Sequence, residues 1–328
     1  MNKPVFPLDL SKITTYSVKD RKSRVNVSNF AKPWTPGHSF ASFLHTLSKI
    51  LAADDLMAVI DALAESARNK KEICFAMGAH VIKVGLNPVV IDLMKRNILT
   101  MVSMNGAGII HDLEVAMSGK TSEDVADSLG SGSFGMAEET SVFLARAIKN
   151  SARDKKGLGR AVGELIVAEN LPYRNLSLTA AGAELNLPVT VHVAVGTDII
   201  HMHPDFDAGA CGAASHLDFR IFAAKIATLE KGVFINAGSA VILPEIFLKA
   251  LSLVRNLGFT PDCFTTVNLD FIRHYRPMTN VVNRPTMKGG KGYCIIGHHE
   301  ILIPLIAAGV LEKFRDLPKP DKKDSIPR

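Results

Sequence analysis

The sequence predicts an α/β protein with a doubly wound, mostly parallel sheet, and two observations support this prediction. Short apolar runs recur six times between residues 73 and 296, and amphipathic helical patterns separate most of them. The runs are almost continuously apolar, which is typical of parallel strands covered by helices on both faces. A closed barrel would need eight such units, so we expect an open sheet.

The order of the elements follows from the same patterns. Strands are predicted over Ile73–Met77, Ile98–Met104, Leu187–Val195, Gly232–Ile235, Cys263–Leu269 and Gly292–Ile296. Helices are predicted over Thr140–Asn150, Leu158–Glu169, Leu176–Leu185, Leu217–Lys231, Pro244–Asn256 and His298–Phe314. An amphipathic pattern from Ser39 to Arg68 is compatible with one helix or two, because Asp54 and Asp55 interrupt it.

Three segments are predicted along the chain. Residues 1–38 contain four prolines and scattered charge, so we expect an extended N-terminal arm. Residues 39–315 are expected to form a single α/β domain, and residues 316–328 a disordered tail. Within the domain, Gly119–Glu139 is rich in Gly, Ser and Asp and is a candidate lid, and His201–Ser215 is predicted to be a loop.

Composition excludes several classes of protein. Of 328 residues, 47% are hydrophobic and 21% are charged, which is typical of a globular protein. The net charge of +6 raises the question of nucleic-acid binding, but no basic helix with interleaved aromatic residues is present, so we expect no nucleic-acid partner. The four cysteines form no CxxC pair, and no stretch of about 18 apolar residues occurs. We therefore expect a cytoplasmic protein without membrane association.

The stretch Thr100–Met117 joins a predicted strand to a predicted helix through the turn Asn105-Gly106-Ala107-Gly108. Small residues at such a junction let a ligand approach free N–H groups at the positive end of a helix. A dinucleotide phosphate is one candidate ligand, although the third glycine of the usual fingerprint is missing. An ordinary tight turn is the alternative.

Histidines and carboxylates are concentrated after the predicted strands. Six of the 11 histidines lie at or just past strand ends: His80, His111, His201, His203, His298 and His299. Asp112, Asp198, Asp205, Asp207 and Glu300 accompany them. The carboxyl ends of parallel strands lie at one edge of a sheet, where these groups can bind a metal or transfer protons. For any single histidine, the alternative is a hydrogen-bonded loop residue.

Two lysines, Lys288 and Lys291, lie in the glycine-rich sequence MKGGKG before the last predicted strand. A lysine near a ligand can form an imine with a carbonyl compound if its pKa is lowered. The alternatives are a solvated lysine and one that holds an anionic group.

The order of these motifs resembles the deoxyhypusine synthase family from about Ile73 to Leu311. The matching segments are GAHVIKVGLNPVVIDLMKRN, TMVSMNGAGIIHDL, LPVTVHVAVGTDIIHM, FINAGSAVI, FTTVNLDF, NRPT and IPLI. The resemblance implies a Rossmann-like sheet that binds NAD, in a homotetramer with the cofactor at subunit interfaces. It also implies a transferase that moves an aminobutyl group from spermidine, through an imine on a lysine, to a protein lysine or a small amine.

The resemblance also assigns roles to individual residues. By similarity, the residues that line the cofactor are Asn105, Gly106, Ala107, Asp112, Gly238, Ser239 and Thr266. The residues that transfer protons or form the imine are His111, Asp198 and one of Lys288 and Lys291.

The departures from the family pattern concern the substrate. Ile110-His111 replace paired glutamates before Asp112, and Ile242-Leu243-Pro244 replace a lysine and two histidines. Because the groups that recognise a polyamine cation are largely absent, we expect an NAD-dependent transferase with altered specificity for an amine or another small substrate. Two alternatives remain. One is a metal-dependent hydrolase or lyase with His201, His203, His298 and His299 as ligands of a divalent metal, and the other is a non-catalytic binding protein.

Overall fold

The computed structural model describes residues 3–315, and one parallel sheet determines where the candidate residues lie. Its strands are β1 (Ile73–Met77), β2 (Met101–Asn105), β3 (Val189–His192), β4 (Val233–Ala237), β5 (Thr265–Asp270) and β6 (Lys291–Ile296). All the neighbouring strands pair in parallel, in the order β3-β2-β1-β4-β5-β6. From β1 to β3 the sheet grows in one direction, and from β4 to β6 it grows in the other. The strand order therefore reverses between β1 and β4. The predicted doubly wound sheet is confirmed, and in such sheets ligands bind beyond the carboxyl ends of the strands near this reversal.

Helices connect the strands. Their bounds are α1 (Phe40–Leu44), α2 (Leu51–Arg68), α3 (His80–Lys83), α4 (Asn87–Lys95), α5 (Gly106–Ser118), α6 (Val125–Leu129), α7 (Glu138–Asp154), α8 (Leu158–Ala168), α9 (Leu178–Glu184), α10 (Ala208–Ala227), α11 (Ile242–Asn256), α12 (Tyr275–Pro277) and α13 (His299–Arg315). The pattern from Ser39 to Arg68 forms two helices, and Asp54 and Asp55 lie inside the second one.

Both faces of the sheet are buried beneath helices. On one face, Phe75 and Met77 of β1 belong to a core that includes residues of α2, α4, α5 and α13. On the other face, Cys74 and Ala76 pack with residues of α10 and α11. This double coverage explains why the strands have almost continuous apolar sequences.

The segment His201–Ser215 differs from its prediction, because α10 begins at Ala208 and not after residue 215. The Asp207 carboxylate caps this helix by accepting a hydrogen bond from the N–H of Ala210 at 2.8 Å. The first two turns of α10 consist mainly of alanine and glycine, so they carry no hydrophobic periodicity that would have indicated a helix.

The structure describes the N-terminal arm from residue 3 and does not describe the C-terminal tail. Residues 3–39 are extended apart from short turns, which include the 3₁₀ turns Val18–Asp20 and Val27–Asn29. The predicted disordered tail, residues 316–328, lies outside the described residues. Within residues 3–315, no helix combines the length and the apolar character needed to cross a membrane.

Asp218 of α10 is a buried carboxylic acid that joins α10 to α8 and β3. Its Oδ2 accepts hydrogen bonds from the N–H groups of Gly159 at 3.0 Å and Val191 at 2.8 Å. Its Oδ1 has no partner among residues 3–315. Burial raises the pKa of Asp218 to about 7, although the backbone hydrogen bonds oppose this shift.

We predict that the Asp218 carboxyl destabilises the folded chain as the pH rises from about 4 to about 7, relative to an Asp218→Asn variant. The folded-state pKa is raised, so the stability that this group contributes below its unfolded pKa is lost as the pH rises through the folded pKa. The difference between the two proteins should change by at most about 1.4 kcal/mol per pH unit. Urea unfolding of both proteins across this range measures it, and a difference that does not change with pH would contradict the assignment.

Candidate active site

The turns after β1 and β4 touch where the strand order reverses. The N–H of Gly78 donates to the carbonyl oxygen of Ala237 at 2.9 Å. A Cβ on Gly78 would lie 2.4 Å from the carbonyl oxygen of Gly238, so only glycine permits this contact. Gly238 itself adopts a φ of +68°, a left-handed conformation that glycine accepts readily. The two glycines therefore form a floor of bare backbone at the carboxyl edge of the sheet.

The amino end of α5 is occupied by side chains of the chain itself. Oδ1 of Asn105 accepts a hydrogen bond from the N–H of Gly108 at 3.2 Å, and the Asp198 carboxylate lies against Gly106 in the same turn. A Cβ on Gly106 would lie only 1.9 Å from Oδ2 of Asp198. The small residues of this turn thus accommodate an internal carboxylate. Asn105, Gly106 and Ala107 do not offer the open anion site that their sequence suggested.

Asp198 and His201 form a buried pair beside this turn. Their side chains are 4% and 5% exposed, and Oδ2 of Asp198 lies 3.9 Å from Nε2 of His201. Neither atom has a hydrogen-bond partner among the described residues. Burial raises the pKa of Asp198, while the neighbouring His201 and the bonds from Thr197 and Ala107 lower it.

The other nitrogen of His201 fixes the tautomer of the ring. Nδ1 lies 3.0 Å from the N–H of Gly196 and 3.2 Å from the N–H of Asp198. Because backbone N–H groups only donate, Nδ1 is the acceptor and the proton resides on Nε2. His201 was expected to be a metal ligand, and its pairing with Asp198 was not predicted. The three-residue spacing, which is typical of a capping box, was the available signal.

The amino end of α11, next to Gly238, is open. The hydroxyl of Ser239 accepts a hydrogen bond from the N–H of Leu243 at 3.2 Å. The N–H groups of residues 239–242 have no hydrogen-bond acceptor within residues 3–315. Val241, at the N-cap position, has no side chain that can accept one. The 15-residue helix α11 therefore presents free donors and the positive end of its dipole at the reversal point.

His299 packs beside the same turn and is fully buried. Its Nε2 donates to the carbonyl oxygen of Leu269 at 3.1 Å, which leaves Nδ1 as a buried acceptor without a partner in the described chain. A Cβ on Gly238 would lie 2.7 Å from the His299 ring. The ring of His80 is 5.5 Å from that of His299, and burial lowers the pKa of His80.

The four candidate metal ligands do not converge. His203 donates through Nε2 to the carbonyl oxygen of Gly135 at 2.9 Å, in the segment predicted as a lid. His298 is 66% exposed, whereas His299 is fully buried against β5. Within residues 3–315, no group of three or more His, Cys, Asp or Glu side chains is arranged to hold a metal ion. The predicted metal site is therefore not supported, because adjacent histidines point into different surroundings.

Asp112 has a structural environment. Its two oxygens accept hydrogen bonds from the hydroxyls and N–H groups at the start of α9, donated by Ser177, Leu178 and Thr179. The amide of Asn87 lies 3.4 Å from Oδ1. Since Asp112 is fully buried and multiply bonded, it has no free edge to offer a cofactor.

Two further predicted residues lie away from the reversal point. Nδ1 of His111 is 2.7 Å from the hydroxyl of Thr121, which in turn donates to Glu114. His111 therefore anchors the start of the Gly119–Glu139 segment. Thr266, the second residue of β5, lies buried in the amino half of that strand.

Both candidate lysines lie at the opposite edge of the sheet. Lys291 is the first residue of β6 and is in register with Thr265, the first residue of β5. Lys288 lies 3.8 Å from Asp262, which precedes β5. Within one chain, neither lysine can reach a substrate at the carboxyl edge. Both lysines belong to the loop before β6 or to its first residue, and a loop that precedes a parallel strand lies at the amino edge of the sheet.

Three solved structures share this fold, and one of them was solved with NAD⁺. A protein described as LOR/SDH from Methanococcus maripaludis S2 matches with a TM-score of 0.52 and 12% identity, over 80% of this chain and 71% of that one. A protein described as a deoxyhypusine synthase from Entamoeba histolytica matches with a TM-score of 0.52 and 10% identity, over 86% and 96%. AgrE, solved with ornithine and NAD⁺, matches with a TM-score of 0.52 and 12% identity over 78% of this chain.

Because every sequence identity is low, these similarities establish the fold alone. The chain spans about a third of AgrE, 32% of its length. No protein-family model matches the sequence, and no curated protein matches it either. The resemblance to deoxyhypusine synthase is therefore confirmed as a relation of fold.

We predict that Gly106→Ala destabilises the protein by about 1–3 kcal/mol, because the new methyl group overlaps the Asp198 carboxylate. The matched control is Gly212→Ala in α10, where an added Cβ has no atom within 4 Å. This control should be neutral or stabilising, since alanine favours a helix. Urea unfolding measures both changes. Equal stability of the two variants would show that Asp198 does not occupy the end of α5.

Proposed function

We propose that this protein is an NAD-dependent enzyme that acts on a small substrate at the carboxyl edge of its sheet. The observation that supports the proposal most strongly is the open amino end of α11 at the reversal between β1 and β4. Dinucleotides bind at this place in doubly wound sheets, with the pyrophosphate at a helix amino terminus. One structure of similar fold was solved with NAD⁺.

The residues around α11 fit such a cofactor. The free N–H groups of residues 239–242 can donate to pyrophosphate oxygens, and the glycine floor of Gly78 and Gly238 allows close approach of a ligand. Gly238 and Ser239 thus keep the cofactor role that the sequence predicted, while the turn at Asn105 does not. When bound, NAD would supply a hydride acceptor.

Asp198 and His201 are the groups that we propose for proton transfer. They lie at the carboxyl edge, beside the end of β2, two strands from β4. Neighbouring strands are about 4.8 Å apart, so the pair lies roughly 10 Å from the proposed pyrophosphate site in the plane of the sheet. The raised pKa of Asp198, caused by burial, brings this carboxyl closer to neutral pH and makes it a better base.

Transferase chemistry through a lysine imine requires a further assumption. Lys288 or Lys291 would have to come from a second copy of the chain, because its own lysines lie at the opposite edge of the sheet. The predicted homotetramer would provide such copies. We therefore propose that the protein is a homo-oligomer. Within one chain, we assign proton transfer to Asp198 and His201.

We predict that Val241→Asp weakens NAD binding about tenfold or more, as measured by titration calorimetry. The new carboxylate would occupy the amino end of α11 and repel the pyrophosphate. It should not unfold the protein, because aspartate is a favourable N-cap residue and Val241 is 46% exposed.

Val142→Asp is the matched control, since Val142 is 48% exposed on α7 and lies on a different helix. Its affinity for NAD should equal that of the unchanged protein. If the unchanged protein does not bind NAD at millimolar concentration, the proposed cofactor is wrong. If both variants bind NAD equally well, the cofactor site does not lie at α11.

A further inference from the structure

We propose that Nε2–H of His201 and Oδ2 of Asp198 together bind the hydroxyl group of a small alcohol substrate. The inference rests on the proposed function, since it assigns a substrate class to the same site. It also departs from the amine substrates that the resemblance to deoxyhypusine synthase implied.

The two unpaired atoms of the pair are a donor and an acceptor that a ligand group can satisfy. Buried polar atoms in native proteins are nearly always hydrogen-bonded, and an unpaired one costs about 1–3 kcal/mol. The two atoms are 3.9 Å apart, too far for a direct hydrogen bond. One oxygen atom placed beside the line that joins them could lie about 2.8 Å from each, which is a normal hydrogen-bond distance. One oxygen atom can therefore bridge the pair.

The tautomer of His201 determines which chemical group can bridge the two atoms. Nε2 is a donor, because Nδ1 accepts from two backbone N–H groups. The Asp198 carboxylate is an acceptor. A hydroxyl satisfies both atoms, since its oxygen accepts one hydrogen bond and its proton makes another. An ammonium group has only donors, so it would pair with Asp198 and leave the Nε2–H of His201 opposed by further N–H groups.

The surroundings suit a small carbon skeleton. The ring of Phe206 lies edge-on to His201, with centroids 4.7 Å apart. Ile199 and Met202, from the same segment as His201, contact Gly135 of the candidate lid. The hydrogen bond from His203 to Gly135 closes this cover. Opening of this contact is the route by which we propose that a ligand reaches the pair.

The test compares two probes of equal length, butane-1,4-diol and butane-1,4-diamine, without NAD. Protein labelled with ¹⁵N-histidine is titrated with each probe, and the NMR signal of Nε2 of His201 is followed. We expect a protonated Nε2 and an unprotonated Nδ1 before titration. The diol should shift the Nε2 signal and bind about tenfold or more tightly than the diamine, because a site built for a hydroxyl rejects a group that leaves its donor unpaired.

Two variants test whether diol binding depends on His201 and Asp198. His201→Asn retains an acceptor near the position of Nδ1 for the N–H groups of Gly196 and Asp198, but removes the Nε2–H donor. Asp198→Asn replaces the acceptor with an amide. Thermal unfolding shows that each variant is folded, and each should lose diol binding, measured by calorimetry.

Tighter binding of the diamine, or no response of His201 to the diol, would overturn the proposal. Retention of diol binding in folded His201→Asn protein would do the same. Because NAD is absent from this experiment, its outcome is independent of the Val241→Asp measurement. Failure of the hydroxyl site and failure of the NAD site are thus separate results.

Discussion

The contact between the Asp198 carboxylate and the amino end of α5 determines how the carboxyl edge is organised. Gly106 has no side chain, so the Asp198 carboxylate lies directly against the end of the helix. A negative group is stabilised there by the helix dipole. This interaction fixes the position of the segment after β3, and thereby holds His201 against Asp198 with its second nitrogen bound to the backbone.

The two long helices that begin at the carboxyl edge near the reversal point have different roles for the same physical reason. Each begins with N–H groups that have no partner within the helix and with a positive dipole end, but α5 is capped by Asn105, whereas α11 lacks a side-chain cap at Val241. A capped end holds a side chain in place, and an open end can bind an anion from outside. One edge of the sheet therefore provides both a rigid polar pair and a place for a pyrophosphate.

Much of the fold was predictable, because the pattern of apolar residues indicates which residues are buried. A sheet covered by helices on both faces buries nearly every strand residue. The candidate site was less predictable, since its partners are distant in sequence: Gly106 and Asp198 are 92 positions apart. The glycine was recognised as a position of close approach, but the approaching group was not. His298 and His299 are adjacent in sequence, yet one is exposed and the other is buried, so counting histidines at strand ends overstated their convergence.

The location of bound NAD tests the central claim most directly. A crystal structure of the protein soaked or grown with NAD should place the pyrophosphate within hydrogen-bond distance of the N–H groups of residues 239–242, with the Asp198 carboxylate still against Gly106. A pyrophosphate bound at Asn105–Ala107, with Asp198 displaced, would contradict the assignment of the two helix ends.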